Sequence, residues 1–229
     1  MGAKARIETR QAIVETARML LRRYGPDKLT VVDIARALRM SHANVYRFFK
    51  TKSEILDAIT DEWLAKLEAF VEEIAGRRMS AAKRIEAIVV ELHCKRKRKC
   101  VEDAEVFETF RLVVAARPDV AAERRAKITA VFKRLLEEGM AAGEFRKMDS
   151  AKVSTALKDA SSLFLHPFMI PTTVHEPTEQ RARNVVQYIL SGFLAKGPRF
   201  REQSLNGETS TIQPSTRKRR KARSARSAN

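Results

Sequence analysis

Residues 30–54 give three helix-start signals in quick succession: Thr30-Val31-Val32-Asp33, Ser41 ahead of His42, and Thr51-Lys52-Ser53-Glu54. In each, a hydroxyl stands where it can accept an early helix N–H. In the first and third, a carboxylate three residues on can reach back. The spacing predicts a helix from Thr30 to about residue 39, with Ile34, Ala35 and Leu38 inward, and a second over residues 42–49. Only Arg39 to Ser41 then separate the two, and short helices joined by so tight a turn read as a helix-turn-helix whose second helix is offered to a major groove. Before this unit, Ile13, Ala17, Leu20, Leu21 and Tyr24 recur at spacings of three and four, an amphipathic helix that Gly25-Pro26-Asp27 stops. After it, a long helix opens at Thr51 with Ile55, Leu56, Ile59, Trp63, Leu67, Phe70, Val71 and Ile74 on one side.

The helical period continues to the far end. Helices are predicted over about residues 81–93, 101–115, 120–141, 150–165 and 177–194, with breaks at Pro118, Gly143, Pro167 and Gly197-Pro198. No useful stretch alternates with period two, and with 8 Gly and 7 Pro the 229-residue chain is poor in the turn residues that an all-β sandwich needs. The fold class expected is all-α with about nine helices: an N-terminal helix-turn-helix DNA-binding domain over residues 1–56, a helical domain over 57–200, and a basic tail over 201–229. The tail has eight basic and two acidic side chains, and Leu205 and Ile212 are its large aliphatics. Such a composition does not offset the entropy of ordering, so the tail reads as disordered, either a solubilising end or an arm for phosphate polyanions.

The formal net charge of +17 points to a polyanionic partner. No apolar run approaches the roughly 20 residues that cross a bilayer, and the first ten residues lack the apolar stretch of a secretory signal. Two cysteines suit a reducing compartment. The expected location is cytoplasmic, with no membrane contact.

The ordered combination Ile34-Ala35, Leu38, Ser41, Val45-Tyr46, Phe48-Phe49, Lys52 and Ile55-Leu56 resembles the DNA-binding domain of tetracycline-repressor (TetR) family transcriptional regulators. The resemblance covers residues 8–56, about a fifth of the chain. One position departs from it: Arg39 stands in the turn where the family commonly has Gly. A left-handed backbone there strains a non-Gly residue by about 1 kcal/mol; the alternative is a different turn geometry.

The residue chemistry assigns roles within this unit. Val45 and Phe49, four apart, face inward with Ile34, Leu38 and Ile55 as scaffold. His42, Ala43, Asn44 and Arg47 are candidates for reading bases: Asn can pair with adenine, Arg with guanine, Ala can touch a thymine methyl, and His42 can donate to guanine or, protonated, to a phosphate. Tyr46 is either a phosphate donor, as the resemblance implies, or part of the core. Lys52 sits at a helix N-terminus, where a cation is unfavourable unless an anion joins it. Ser41 and Thr30 are caps whose surroundings can also meet phosphate, and Lys50 is a general phosphate attractor.

A single helix-turn-helix reads few bases, so the expected partner is double-stranded DNA carrying an inverted repeat, bound by a homodimer. The resemblance places the dimer seam on the last two long helices, where Val185, Val186, Ile189, Leu190 and Phe193 form an apolar stripe, although a stripe buried within one chain looks the same. It also implies a small-molecule effector in the bundle. Phe107, Phe110, Phe164 and His166, with Phe168 and Met169, are loose candidates for lining its site, or else ordinary core. The segment His93-Cys94-Lys95-Arg96-Lys97-Arg98-Lys99-Cys100 is read as a solvated basic helix end or loop. Its cysteines lie about 240° apart around a helix, and its cations repel a metal. No metal site and no cofactor are expected, and the phosphate-loop, nucleophile-elbow, zinc-protease and dinucleotide motifs of enzymes are absent. The reading is a non-enzymatic, sequence-specific regulator, most simply a ligand-responsive repressor. The alternative is an architectural protein that coats DNA with little regard to sequence.

Overall fold

A computed structural model describes residues 3–195 of the chain. The basic tail expected at 201–229 lies outside the described residues. Those described form ten α-helices: α1 (Ala3–Lys28), α2 (Val31–Ala37), α3 (His42–Tyr46), α4 (Lys52–Ala75), α5 (Ala81–Glu102), α6 (Ala104–Ala116), α7 (Pro118–Ala141), α8 (Ser150–Ala160), α9 (Ser162–Leu165) and α10 (Glu179–Ser191). A short 3-10 turn spans Pro171–Thr173. One isolated antiparallel bridge, Phe145 to Leu194, is the β pairing found among the described residues.

Local chemistry sets the boundaries. Gly25 (φ 77°, ψ 168°) breaks α1 just ahead of Pro26. The hydroxyls of Thr30, Ser41 and Thr51 each accept the N–H three residues on, at 3.1, 3.2 and 3.1 Å. The α5 N-terminus is capped twice, by Ser80 and by the carboxylate of Glu144, which accepts from the N–H groups of Ala81 (2.7 Å) and Ala82 (2.9 Å). That places a negative charge where the helix dipole favours one. Pro118 opens α7 as its first residue, where its missing N–H costs nothing. The expected helix over 150–165 is two helices, because the backbone at Ser161 (φ −85°, ψ 3°) ends α8 before α9 begins. Hence ten helices rather than nine.

One cluster joins the first four helices through Ile13, Val14, Ala17, Leu21, Ile34, Val45, Phe49, Ile55 and Ile59, and Val106 of α6 reaches into it. Tyr24 does not join it; it is 43% exposed, with Arg23 over its ring. A larger cluster surrounds α5, whose Ile85, Ile88, Val89 and Leu92 pack with Leu67, Val71 and Ile74 of α4, Phe132, Leu135 and Leu136 of α7, and Val186 and Leu190 of α10. α4 is one continuous helix that contributes to both.

One expectation needs correction. The segment 93–100 is not a loop but the C-terminal part of α5, which runs to Glu102, and it is solvated only in part, at Lys95 and Arg98. His93 is fully buried and Arg96 nearly so. They continue the inward face of Leu92 because carbonyls of α9 await them: His93 Nδ1 lies 2.9 Å from the Phe164 carbonyl, and Arg96 donates to that of Leu165. Lys97 pairs with Glu179, Lys99 with Asp103, and Lys95 sits over the Phe70 ring. The apolar stripe that the sequence left open between a dimer seam and an intrachain core packs in part within the chain. Val186 and Leu190 are buried within the chain, and Val185, Ile189 and Phe193 are partly buried against the same cluster.

Candidate nucleic-acid interface and effector cavity

The turn between α2 and α3 is held by the N–H of Arg39 donating to the Arg36 carbonyl (3.1 Å) and that of Met40 donating to Ala35 (3.0 Å). Arg39 adopts φ 52°, the one positive φ at a non-Gly residue among those described. The turn therefore keeps the left-handed geometry, and Arg39 carries its strain. Val45 and Phe49 anchor α3 from beneath, and the guanidinium of Arg10 lies 4.7 Å from the Phe49 ring.

With that face buried, the opposite face of α3 is presented outward. Ser41, His42, Ala43, Tyr46, Arg47 and Lys50 are exposed; Asn44 is half-buried, its amide 4.0 Å from the Met40 sulfur. The rings of His42 and Tyr46, one turn apart, meet edge to face at 6.4 Å. Lys52 is half-buried, and its ammonium donates to the Asp27 carbonyl at 3.4 Å, which holds it beside the α4 N-terminus. Thr30 donates its hydroxyl proton to the Asp33 carboxylate (2.5 Å), so a phosphate at that cap would meet N–H groups of α2 rather than this hydroxyl. Arg39, Arg47, Lys50 and Lys52 form no ion pair with another described residue, whereas most cations of the helical bundle do. The turn and α3 thus carry unneutralised positive charge beside a row of exposed hydrogen-bonding groups.

A second feature lies between α4, α6, α7 and α9: a cavity of about 260 Å³ walled by Leu64, Phe110, Val113, Ile128 and Leu165. Of the aromatic residues singled out in the sequence, Phe110 and His166 line it. Phe107 instead packs in a buried cluster with Leu64, Phe110 and Ile170, against Trp63, and Phe164 lies edge to face with His93 at 5.6 Å. Phe168 and Met169 are at the surface. Sequence reasoning missed the cationic lining of Arg96, Arg117, Arg124 and Arg125. The imidazole of His166 is pushed below its ordinary range by burial, and by Arg125 and Arg96 nearby. A neighbouring cavity of about 520 Å³, between α4, α5 and α7, shares Leu64, Arg96, Arg124 and Ile128 with the first.

The comparison with known families agrees with both halves. The model of the bacterial regulatory proteins of the tetR family matches residues 13–59, and that of the tetracyclin repressor-like C-terminal domain matches residues 81–186. The chain belongs to the TetR family of transcriptional regulators. Solved structures share the fold. A TetR/AcrR-family regulator from Thermobifida fusca is 22% identical, with 81% of this chain and 98% of that chain covered, at a TM-score of 0.59. A TetR-family regulator from Pectobacterium atrosepticum is 13% identical over 86% of this chain and 100% of its own, at 0.66. SmeT, repressor of a Stenotrophomonas maltophilia multidrug efflux pump, in its triclosan complex is 16% identical over 83% and 93%, at 0.61. No curated protein matches the chain. Among the described residues, no helix is long and apolar enough to cross a membrane, and no group of three or more His, Cys, Asp or Glu is placed to hold a metal.

Proposed function

We propose that this TetR-family regulator is a ligand-responsive, non-enzymatic repressor in the cytoplasm that binds an inverted-repeat operator as a homodimer. The observation that carries the reading is the outward face of α3, exposed at His42, Ala43, Tyr46 and Arg47 and flanked by cations that form no ion pair with another described residue. His42, Ala43, Asn44 and Arg47 read base edges; Thr30, Ser41, Tyr46, Lys50 and Lys52 grip the phosphates on either side. Residues 1–56 form the DNA-binding domain and 57–200 the regulatory one, with α8 and α10 supplying the dimer seam. That seam uses the outer edge of α10 at Val185 and Ile189, with Phe193 just past its end, all three half-buried, because Val186 and Leu190 already pack inward.

The cavity is the effector site, as supported by the ligand complex of SmeT and by the elements that connect it to the DNA side. Thr60, Asp61 and Leu64 of α4 line it, and the same helix carries Lys52 and Ile55 at its other end. α6 lines it with Phe110 and Val113 while its Val106 enters the N-terminal cluster. Arg117 on the cavity wall faces Asp57 of α4 at 3.6 Å. An effector that favours a different spacing of α4 and α6 shifts the population toward a dimer whose two α3 helices no longer fit successive major grooves.

Footprinting on genomic DNA, with the mass of the free protein measured alongside, tests this reading. Discrete palindromic sites with half-sites about one helical turn apart, and a particle of two chains, are expected. A continuous smear of protection with a steep salt dependence would instead support the architectural reading that the charge of +17 allows.

A further inference from the structure

Arg96 is the most unusual charge in the bundle. Its residue is 7% exposed, it forms no ion pair with a described residue, and its one hydrogen bond is donated to the Leu165 carbonyl at the end of α9. Its Nε is buried without a partner. A guanidinium offers five N–H donors and is rarely buried without a carboxylate to face it. Burial lowers its pKa to about 10, which still leaves it charged at neutral pH. Capping α9 accounts for one of its donors and leaves the charge uncompensated.

The surroundings do not supply the missing anion. Arg96 lines both cavities. On the wall of the smaller one, Arg117 is matched by Asp57, Arg124 by Asp61 and Glu68, and Lys158 by Asp159. Arg125 has no ion pair among the described residues, so Arg96 and Arg125 are the surplus charges. His166 also lines the cavity; held toward its neutral form, with Nδ1 accepting from the Phe168 N–H at 3.4 Å, it has Nε2–H left to donate. The rest of the wall is mainly apolar, with Leu64, Phe110, Val113, Ile128 and Leu165 beside the hydroxyl residues Thr60 and Ser162. A surplus of positive charge on the wall of a mainly apolar cavity, buried at Arg96 and exposed at Arg125, matches a ligand with one anionic group on a compact hydrophobic body.

We infer that the cavity takes an amphipathic organic anion, a carboxylate on an aromatic or short aliphatic body, with Arg96 as the carboxylate's partner and Arg125 and His166 at its rim. This rests on the reading of the cavity as the effector site, and it names the chemical class of that effector.

The test compares matched acids and amides on the full chain without DNA: 4-phenylbutyrate against 4-phenylbutanamide, and octanoate against octanamide. Binding is read by calorimetry and by emission of Trp63, the single tryptophan, whose ring lies 4.5 Å from that of Phe110. Each acid is expected to bind at least about tenfold more tightly than its amide, the scale of one charge-assisted pair. In Arg96→Met that preference collapses, and in Arg125→Ala, at an exposed position, it is reduced. Acids and amides that bind equally, or acids that fail to bind at up to about 1 mM, overturn the inference. So does an acid preference that survives in a folded Arg96→Met. Should Arg96→Met not fold, the wild-type comparison and Arg125→Ala decide alone. Operator release is measured separately, so an acid that binds without changing operator affinity defeats ligand responsiveness and leaves this assignment standing.

Discussion

Arg39 pays for the geometry of the turn. At φ 52° its Cβ crowds the backbone, and glycine removes that strain while adding freedom to the unfolded chain. The net expectation for Arg39→Gly is a gain of about 0.5–1 kcal/mol, seen as a melting temperature higher by roughly 2 °C. Two further residues separate grip from readout. Lys52 is held by the Asp27 carbonyl at the α4 N-terminus; if it grips phosphate as proposed, Lys52→Ala should weaken binding to every sequence and reduce the salt slope by about 1. Asn44→Ala should instead relax preference at one base pair, costing about 1–3 kcal/mol there. Titrations of operator and scrambled duplexes at several salt concentrations distinguish them, and identical behaviour of the two variants would contradict the assignment.

Within α5, polar residues occupy positions that periodicity reserves for the core. His93 bridges α5 to the Phe164 carbonyl and to Thr178, whose hydroxyl lies 2.6 Å from Nε2. Nδ1 must carry the proton to donate to a carbonyl, so Nε2 accepts from Thr178. Burial, with Lys97 and Arg96 near, lowers the pKa of this imidazole below 6.5 against the opposing pull of the Phe164 bond and Glu179. The unfolded chain then takes up a proton that the native one refuses, and stability falls as pH drops below about 6.5 toward the native value. Above that window the group contributes no slope. His93→Gln should flatten the melting-temperature profile there, leaving a residual slope from His166, which is shifted in the same direction, and leaving the acid limb below pH 4 to lowered carboxylates such as Asp103 and Glu86. A wild-type profile flat between pH 7 and 5 would refute this. The elements most legible in the sequence were those set by local rules: caps at Thr30, Ser41 and Thr51, the break at Gly25, and the inward faces of α1 and α4. Arg96 and the α5 extension were illegible because their partners, the α9 carbonyls, are about 70 residues away in sequence. The α10 stripe showed an apolar face but not which surface covers it.

At the scale of the molecule, α4 and α6 tie the cavity to the DNA side, and Arg22 of α1 adds a bidentate grip on Asp103 at the start of α6 (2.8–3.1 Å). On the proposed reading, an effector wedged between these helices would act on the platform that carries α3 rather than on α3 itself. A net charge of +17 would favour any duplex, so affinity alone does not distinguish a regulator from a coating protein. The ratio of affinities for a selected site and a scrambled duplex, at one salt concentration, does. For the wild type the ratio should be about 10³ or more. In the triple variant His42→Ala, Asn44→Ala, Arg47→Ala it should fall toward unity while binding to scrambled DNA weakens only modestly. A ratio near unity in the wild type, or one that the triple variant leaves intact, would contradict the placement of α3 in the groove.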